Sequence, residues 1–166
     1  ILHHPLVTIA NKERVAAQDY ILVGERYKVD KSLDTSYPVV PLSDICEINA
    51  ENKNPALAFG DDEFIYIDIS SVENGTGKVD FSNKIKGTDA PSRAKRAVKK
   101  GDILFSTVRP NLKAYGYVER EDCDCCIAST GFAVISAKTK VLSKYVYYML
   151  YSEPVQTQLA SMMGKG

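Results

Sequence analysis

KKGDILFSTVRPNLKAYGYVE, residues 99–119, decides how the chain reads. Gly101 stops whatever precedes it, Ile103 to Val108 is a near-continuous apolar run suited to a strand, and Arg109-Pro110-Asn111 breaks it. A second strand follows through Leu112 to Val118, where Tyr115 and Tyr117 alternate and read as core. The result is a β-hairpin with cations at its edges. Pro110 restricts Arg109 to an extended backbone, so an arginine and an asparagine stand together at a strand tip.

The segment feeding the hairpin, APSRAKRAV (90–98), predicts a short basic helix, because proline is tolerated in a first helical turn. Ala94, Ala97 and Val98 then face inward, and Arg93, Arg96 and Lys100, spaced i, i+3 and i+7, form a cationic stripe. Between Lys84 and Lys113 there are nine cations against only Asp89 and Asp102. The protein as a whole is neutral, with 21 basic and 21 acidic residues in 166, so any attraction for a polyanion has to be local. The opposing charge collects elsewhere, at Asp61 to Glu63 and at Glu119 to Asp124.

Apolar residues at 45% and charged residues at 25% belong to a globular domain with a real core, and exclude fibrous and disordered classes. No apolar run approaches the roughly 20 residues a bilayer span needs, and no signal peptide opens the chain, so a cytoplasmic protein without a membrane partner is expected. The chain begins at Ile1 without a methionine and ends on Met163-Gly164-Lys165-Gly166 after a helix-like segment, the pattern expected of a piece of a longer polypeptide. Cys46, Cys123, Cys125 and Cys126 suit a reducing compartment. Cys-Asp-Cys-Cys lacks the paired C-x-x-C spacing of a tetrahedral zinc site and reads as free thiols at a turn. His3 and His4 lie at a terminus, where a ligand role is not expected.

Working outward from the hairpin, FIYIDIS (64–70) predicts a strand and Glu73-Asn74-Gly75-Thr76-Gly77 a tight turn. Asn74 also opens a glycosylation sequon, which has no meaning without a secretory signal. Ser43 is placed to cap a helical turn containing Ile45 and Ile48, and NAENKNPALAFGDDE (49–63) reads as a loop bearing Asn52, Lys53 and Asn54. On the other side, CIASTGFAVISA (126–137) predicts one strand, with Gly131 at a bulge or close approach. SKYVYYMLYS (143–152) predicts a helix with Val146, Tyr147 and Leu150 on one face. Pro154 then suits the first turn of another, carrying Val155, Leu159 and Met162. KSLDTSY (31–37), punctuated by Pro38 and Pro41, is the linker candidate.

Five phrases now carry a resemblance: VPLSDICEIN (40–49), IYIDIS (65–70), KKGDILFSTVRPNLKAYGYV (99–118), IASTGFAVI (127–135) and LSKYVYYMLYSEPVQTQL (142–159). Together they resemble the target recognition domain of the specificity subunit of type I restriction-modification enzymes, most specifically at GDILFSTVRPN. The segment RVAAQDYILVGERY (14–27) is similar to the C-terminal tail of the modification methyltransferase subunits of the same systems. The resemblance implies residues 1–38 as a methyltransferase tail and linker. Residues 39–166 would then be an α+β target recognition domain, truncated at its C-terminus, with a central mixed or antiparallel sheet, the short basic helix and C-terminal helices.

It further implies a partner in double-stranded DNA, of which one half-site is read, and protein partners in a modification methyltransferase subunit or fused domain and a restriction subunit. The domain itself would make and break no bonds. A fused methyltransferase would need the Asn/Asp-Pro-Pro-Tyr/Phe motif, and the near match Asn54-Pro55-Ala56-Leu57 lacks the second proline and the aromatic. No glycine-rich strand-turn-helix supports S-adenosylmethionine, so no cofactor is expected. In this reading Arg93, Lys95, Arg96, Lys100 and Lys113 hold phosphates, and Arg109, Asn111, Asn52 and Asn54 read base edges, since arginine forks to guanine and asparagine to adenine. Two other readings stay open. One is a protein-interaction module whose basic hairpin binds an acidic surface; the other is an enzyme built on the cysteine cluster, for which neither histidine is placed as a base.

Overall fold

The computed structural model describes residues 10, 12–17, 19–20, 38–108, 112–138 and 141–163. Contacts divide the chain into one compact unit, Val40–Leu150, and a second made of Ile1–Val39 with Tyr151–Gly166. In the second unit lie helix α1 (Lys12–Ala16) and helix α5 (Glu153–Met163), whose first turn holds Pro154 as expected.

The compact unit begins with α2 (Leu42–Ile45) and passes directly into strand β1 (Cys46–Ile48). Ser43 therefore lies inside the turn and does not cap it. Pro41 occupies the cap, and Ile48 is on the strand. The expected loop at 49–63 contains helix α3 (Pro55–Phe59), because Asn54 Oδ1 accepts from the Ala56 amide at 3.1 Å and proline follows at the first helical position. Strands β2 (Glu63–Ile67), β3 (Lys84–Lys86) and β4 (Ala94–Ala97) come next, then β5 (Ile103–Ser106), β6 (Tyr115–Tyr117), β7 (Cys126–Ser129) and β8 (Phe132–Ala137), and helix α4 (Ser143–Met149).

The described strands form two four-stranded sheets where one central sheet was expected. The first, β1-β8-β5-β6, is antiparallel throughout. The second, β3-β2-β7-β4, pairs β2 parallel to β7 and is otherwise antiparallel. The α+β architecture of the sequence reading stands, with two corrections. First, residues 94–97 are strand β4, not a short basic helix. The edge of β7 supplies a ladder that Ala94, Arg96 and Ala97 join, and that long-range pairing overrides the helical spacing. Second, the run 126–137 is two strands in different sheets, turning at Thr130-Gly131. Gly131 does make the close approach expected of it: a Cβ there would lie 3.0 Å from Ile69 Cδ1.

Strand alternation explains why so much of the sequence is apolar. Ile65 and Ile67 of β2 face Leu104, Phe132 and Val134 of the other sheet in the main core. Phe64 and Tyr66 point the opposite way, onto Ile127 and Ala94 under α3, with Phe59 stacked on Phe64 at 5.3 Å between centroids. On the first sheet α4 lays Val146, Tyr147 and Leu150 inward, as its spacing predicts, and Tyr147 Oη donates to the Tyr115 carbonyl at 3.2 Å. A sheet covered on both faces reads as a continuous hydrophobic run. No helix among the described residues is long and apolar enough to cross a membrane.

Candidate nucleic-acid interface

The hairpin exists as expected, with Ile103, Leu104 and Phe105 opposite Tyr117, Gly116 and Tyr115. Tyr115 is fully buried and stacks on Phe105 at 4.5 Å, so it is core material. Strand directions bring four connections to one end of both sheets: the segment after β2 (68–74), the turn before β4 (91–93), the β5–β6 connection, and the β7–β8 turn. Thr107 ties two of them together, donating its amide and its hydroxyl to the Gly131 carbonyl, each at 2.9 Å. Thr130 N donates to the Arg93 carbonyl at 2.8 Å and ties a third.

Between these connections is an open cleft of about 610 Å³, lined by Tyr66, Asp68, Ser70, Asn74, Arg93, Val108 and Leu112 among others. Its carboxylates are engaged locally. Asp68 Oδ1 caps the 3-10 turn Ile69–Ser71, accepting from the amides of Ser70 and Ser71 at 2.9 and 3.1 Å, and Glu73 Oε2 accepts from Thr76 Oγ1 at 2.8 Å. Arg93 is exposed on the rim with no side-chain partner among the described residues. Lys113 lies nearby on the β5–β6 connection, half-buried, in the left-handed region at φ 52°. Arg109 and Asn111 fall outside the described residues. Val108 and Leu112, which flank them, are 48% and 46% exposed, an amount of bare apolar surface that suits contact with a ligand.

A second cleft, about 490 Å³, runs beside β4 and is lined by Asn52, Lys53, Asn54, Ser92 and Lys95 among others. It brings together Asn52, Asn54 and Lys95 from the sequence reading. Both asparagines are partly committed. Asn54 Oδ1 caps α3, and Asn52 Oδ1 accepts from Arg96 Nη1 at 2.7 Å. Each thus presents mainly its amide donors, which suit phosphate oxygens or guanine acceptors better than the paired donor and acceptor of adenine. Arg96 is half-buried and, through its Nη1 bond to Asn52, braces the Asn52 segment against β4, while its buried Nε has no partner among the described residues.

Lys100 is not with the others. It sits beyond β4 at the opposite end of the sheets and makes an ion pair with Glu121. There Lys99 pairs with Glu51 at 3.0 Å and Lys144 with Glu119 at 2.8 Å, and each hydrogen-bonded pair lowers its carboxyl pKa and raises its ammonium pKa. The expected stripe of Arg93, Arg96 and Lys100 depended on helical spacing. On an extended strand at about 3.3 Å per residue the same residues are strung out from one end of the sheet to the other. Two thiols of the cysteine cluster are poor nucleophiles: Cys123 and Cys126 are buried, and burial, with the neighbouring thiols, pushes the Cys126 thiol up to about 12, while Cys125 is half-buried. Missed by the sequence reading were Val108, Leu112 and Ser92, ordinary residues that only long-range strand pairing brings to a cleft.

No family model matches the chain. It is 42% identical over 65 residues to the specificity subunit of the type I restriction enzyme HindI of Haemophilus influenzae, a match covering 39% of this chain and 14% of that one. The HsdS subunit from Thermoanaerobacter tengcongensis superposes with a TM-score of 0.66 at 33% identity, over 73% of this chain and 30% of that one. A chain from a structure of the type I R-M system, described as showing its complex assembly and conformational transition, gives 0.67 at 33% identity over 74% and 31%. This chain spans less than a third of the length of each relative. Over nearly three quarters of its length the chain is similar in sequence and in fold to HsdS specificity subunits of type I restriction-modification systems.

Proposed function

We propose that residues 39–166 are a non-catalytic module that binds double-stranded DNA in sequence-specific fashion and reads one half-site for a restriction-modification enzyme in the cytoplasm. The observation that carries this reading is the structural match to specificity subunits at 33% identity over 73% of the chain. Its protein partners are a modification methyltransferase subunit or fused domain and, in an assembly that cleaves, a restriction subunit. Residues 1–38 are then the tail of such a methyltransferase.

The electrostatics support the loop end of the sheets as the DNA face. Arg93 and Lys113 there and Lys95 beside the second cleft have no acidic partner among the described residues, so their charge is available to phosphates. Arg109 and Asn111, on the connection between exposed Val108 and Leu112, read base edges. Asn52 and Asn54 supply amide donors from the neighbouring cleft, and Arg96 positions Asn52. Lys100, neutralised by Glu121, contributes little. Selection from a pool of random duplexes at low salt tests the reading: the chain should enrich one short sequence, and enrichment of none would overturn it.

A further inference from the structure

The Asn74 turn is unused by the function proposed above, although it opens onto the same cleft as Arg93. The flanks of this turn are held on both sides. Glu73 N donates to the Lys78 carbonyl at 2.9 Å, Gly77 N to the Glu73 carbonyl at 3.0 Å, and Val72 bridges Val79. Gly77, at φ 70°, lies so close to β6 and α4 that a Cβ there would collide with the Tyr115 carbonyl oxygen and the Tyr147 hydroxyl. Within the turn, Glu73 and Thr76 bond to each other through their side chains, and Thr76 Oγ1 also accepts from the Lys78 amide at 3.3 Å. Asn74 is exposed, with its amide oxygen and nitrogen both without a partner among the described residues.

That distinguishes it from three other asparagines. The side-chain oxygens of Asn49, Asn52 and Asn54 are engaged by the Val134 amide, Arg96 and the Ala56 amide. Reading adenine in the major groove takes a donor to N7 and an acceptor from the N6 amino group on one planar side chain. Among the described asparagines Asn74 and exposed Asn83 have both side-chain atoms without a partner, and of these two Asn74 lines the cleft beside Arg93. A side chain on a turn whose two flanks are already fixed also loses less freedom on binding.

We propose that Asn74 is a specificity-determining residue that reads an adenine edge in the DNA half-site, with Arg93 on the adjoining rim anchoring the backbone beside it. This rests on the DNA-reading function proposed above. Selections from random duplexes at low salt with the wild-type chain, Asn74→Ala and Asn74→Asp test it. The wild type should enrich a motif containing an adenine whose preference falls about 5- to 100-fold in Asn74→Ala, with other positions unchanged. Asn74→Asp is isosteric, so it keeps the turn, and its carboxylate, able only to accept, should shift the same position toward cytosine. A wild-type motif retained unaltered by both variants would overturn the role of Asn74 and leave the DNA reading standing. A wild type that enriches nothing would overturn the DNA reading, and this proposal with it. Thermal unfolding of each variant checks the fold; should Asn74→Ala fail to fold, the Asn74→Asp selection decides.

Discussion

The two ends of the paired sheets use the same side-chain types in opposite ways. At the end where β4 leaves and β5 enters, cations meet carboxylates: Lys99 with Glu51, Lys100 with Glu121, Lys144 with Glu119. Asp102, buried there, accepts from the Lys99 amide and the Ser136 hydroxyl, both at 2.7 Å. At the other end the carboxylates of Asp68 and Glu73 are turned back onto their own loops, and Arg93 has no side-chain partner among the described residues. One end satisfies its charges within the fold; the other presents them outward. A count of cations along the sequence cannot tell these apart, because the pairing depends on which residues the strand order brings together.

The largest effect that would break the comparison concerns how firmly the loop end is built. Gly77→Ala adds a Cβ that meets backbone and ring together, at a φ of 70°, and should cost about 3 kcal/mol from left-handed strain and overpacking combined. Gly75→Ala is the control. Its φ is 80° but nothing lies within 4 Å of the added carbon, so only the strain, about 1 kcal/mol, should appear. Urea unfolding midpoints read both, and equal losses would mean that the Asn74 turn is not packed against β6 and α4.

A smaller effect belongs to the closed end. Asp102→Ala leaves the Lys99 amide and Ser136 hydroxyl without their acceptor and should cost about 2 kcal/mol. Burial raises the Asp102 pKa, and its two hydrogen bonds offset this only in part. A carboxyl whose folded pKa lies above its unfolded value binds its proton more tightly when folded. The protein should therefore gain stability from this group as pH falls through the raised value, and the gain should level off below the ordinary aspartate value. Asp102→Asn, which has no such titration, should lose ground to the wild type as pH drops from 7 to 4. A difference in unfolding midpoint that stays flat, or runs the other way, would contradict the burial argument.

Legibility in the sequence followed the range of the interaction. The hairpin, α4 and α5 depend on neighbours in the chain, and Gly101, Pro154 and the Val146-Tyr147-Leu150 spacing announced them. The 94–97 segment was misjudged because its alanines and cations satisfy a helical pattern just as well, and only the free edge of β7 turns it into a strand. Asn54 stands before a proline, which is a capping signal, and its side-chain oxygen does cap α3 while its amide nitrogen is left for the cleft. Of the expected phosphate ligands, Arg93, Lys95 and Lys113 have no acidic partner among the described residues. Arg96 and Lys100 are committed by Asn52 and Glu121, partners 44 and 21 residues away in the chain that no local pattern reveals.

The finest test sets one residue from each end against the other. Each phosphate that a protein neutralises releases condensed counterions, so the slope of log affinity against log salt falls by about 1 when one such contact is removed. Arg93→Ala should reduce that slope by about 1 and weaken cognate and random duplexes equally. Lys100→Ala removes a charge that Glu121 already offsets, and should leave both the slope and the cognate preference where they are. Glu121→Ala makes the comparison sharper, since releasing Lys100 from its partner should create a weak new attraction for DNA at low salt only if that end of the sheets lies within a Debye length of the duplex, about 10 Å at 0.1 M. Equal slopes for Arg93→Ala and Lys100→Ala would mean that the two ends face DNA alike, and the distinction between a closed end and a presenting end would fall.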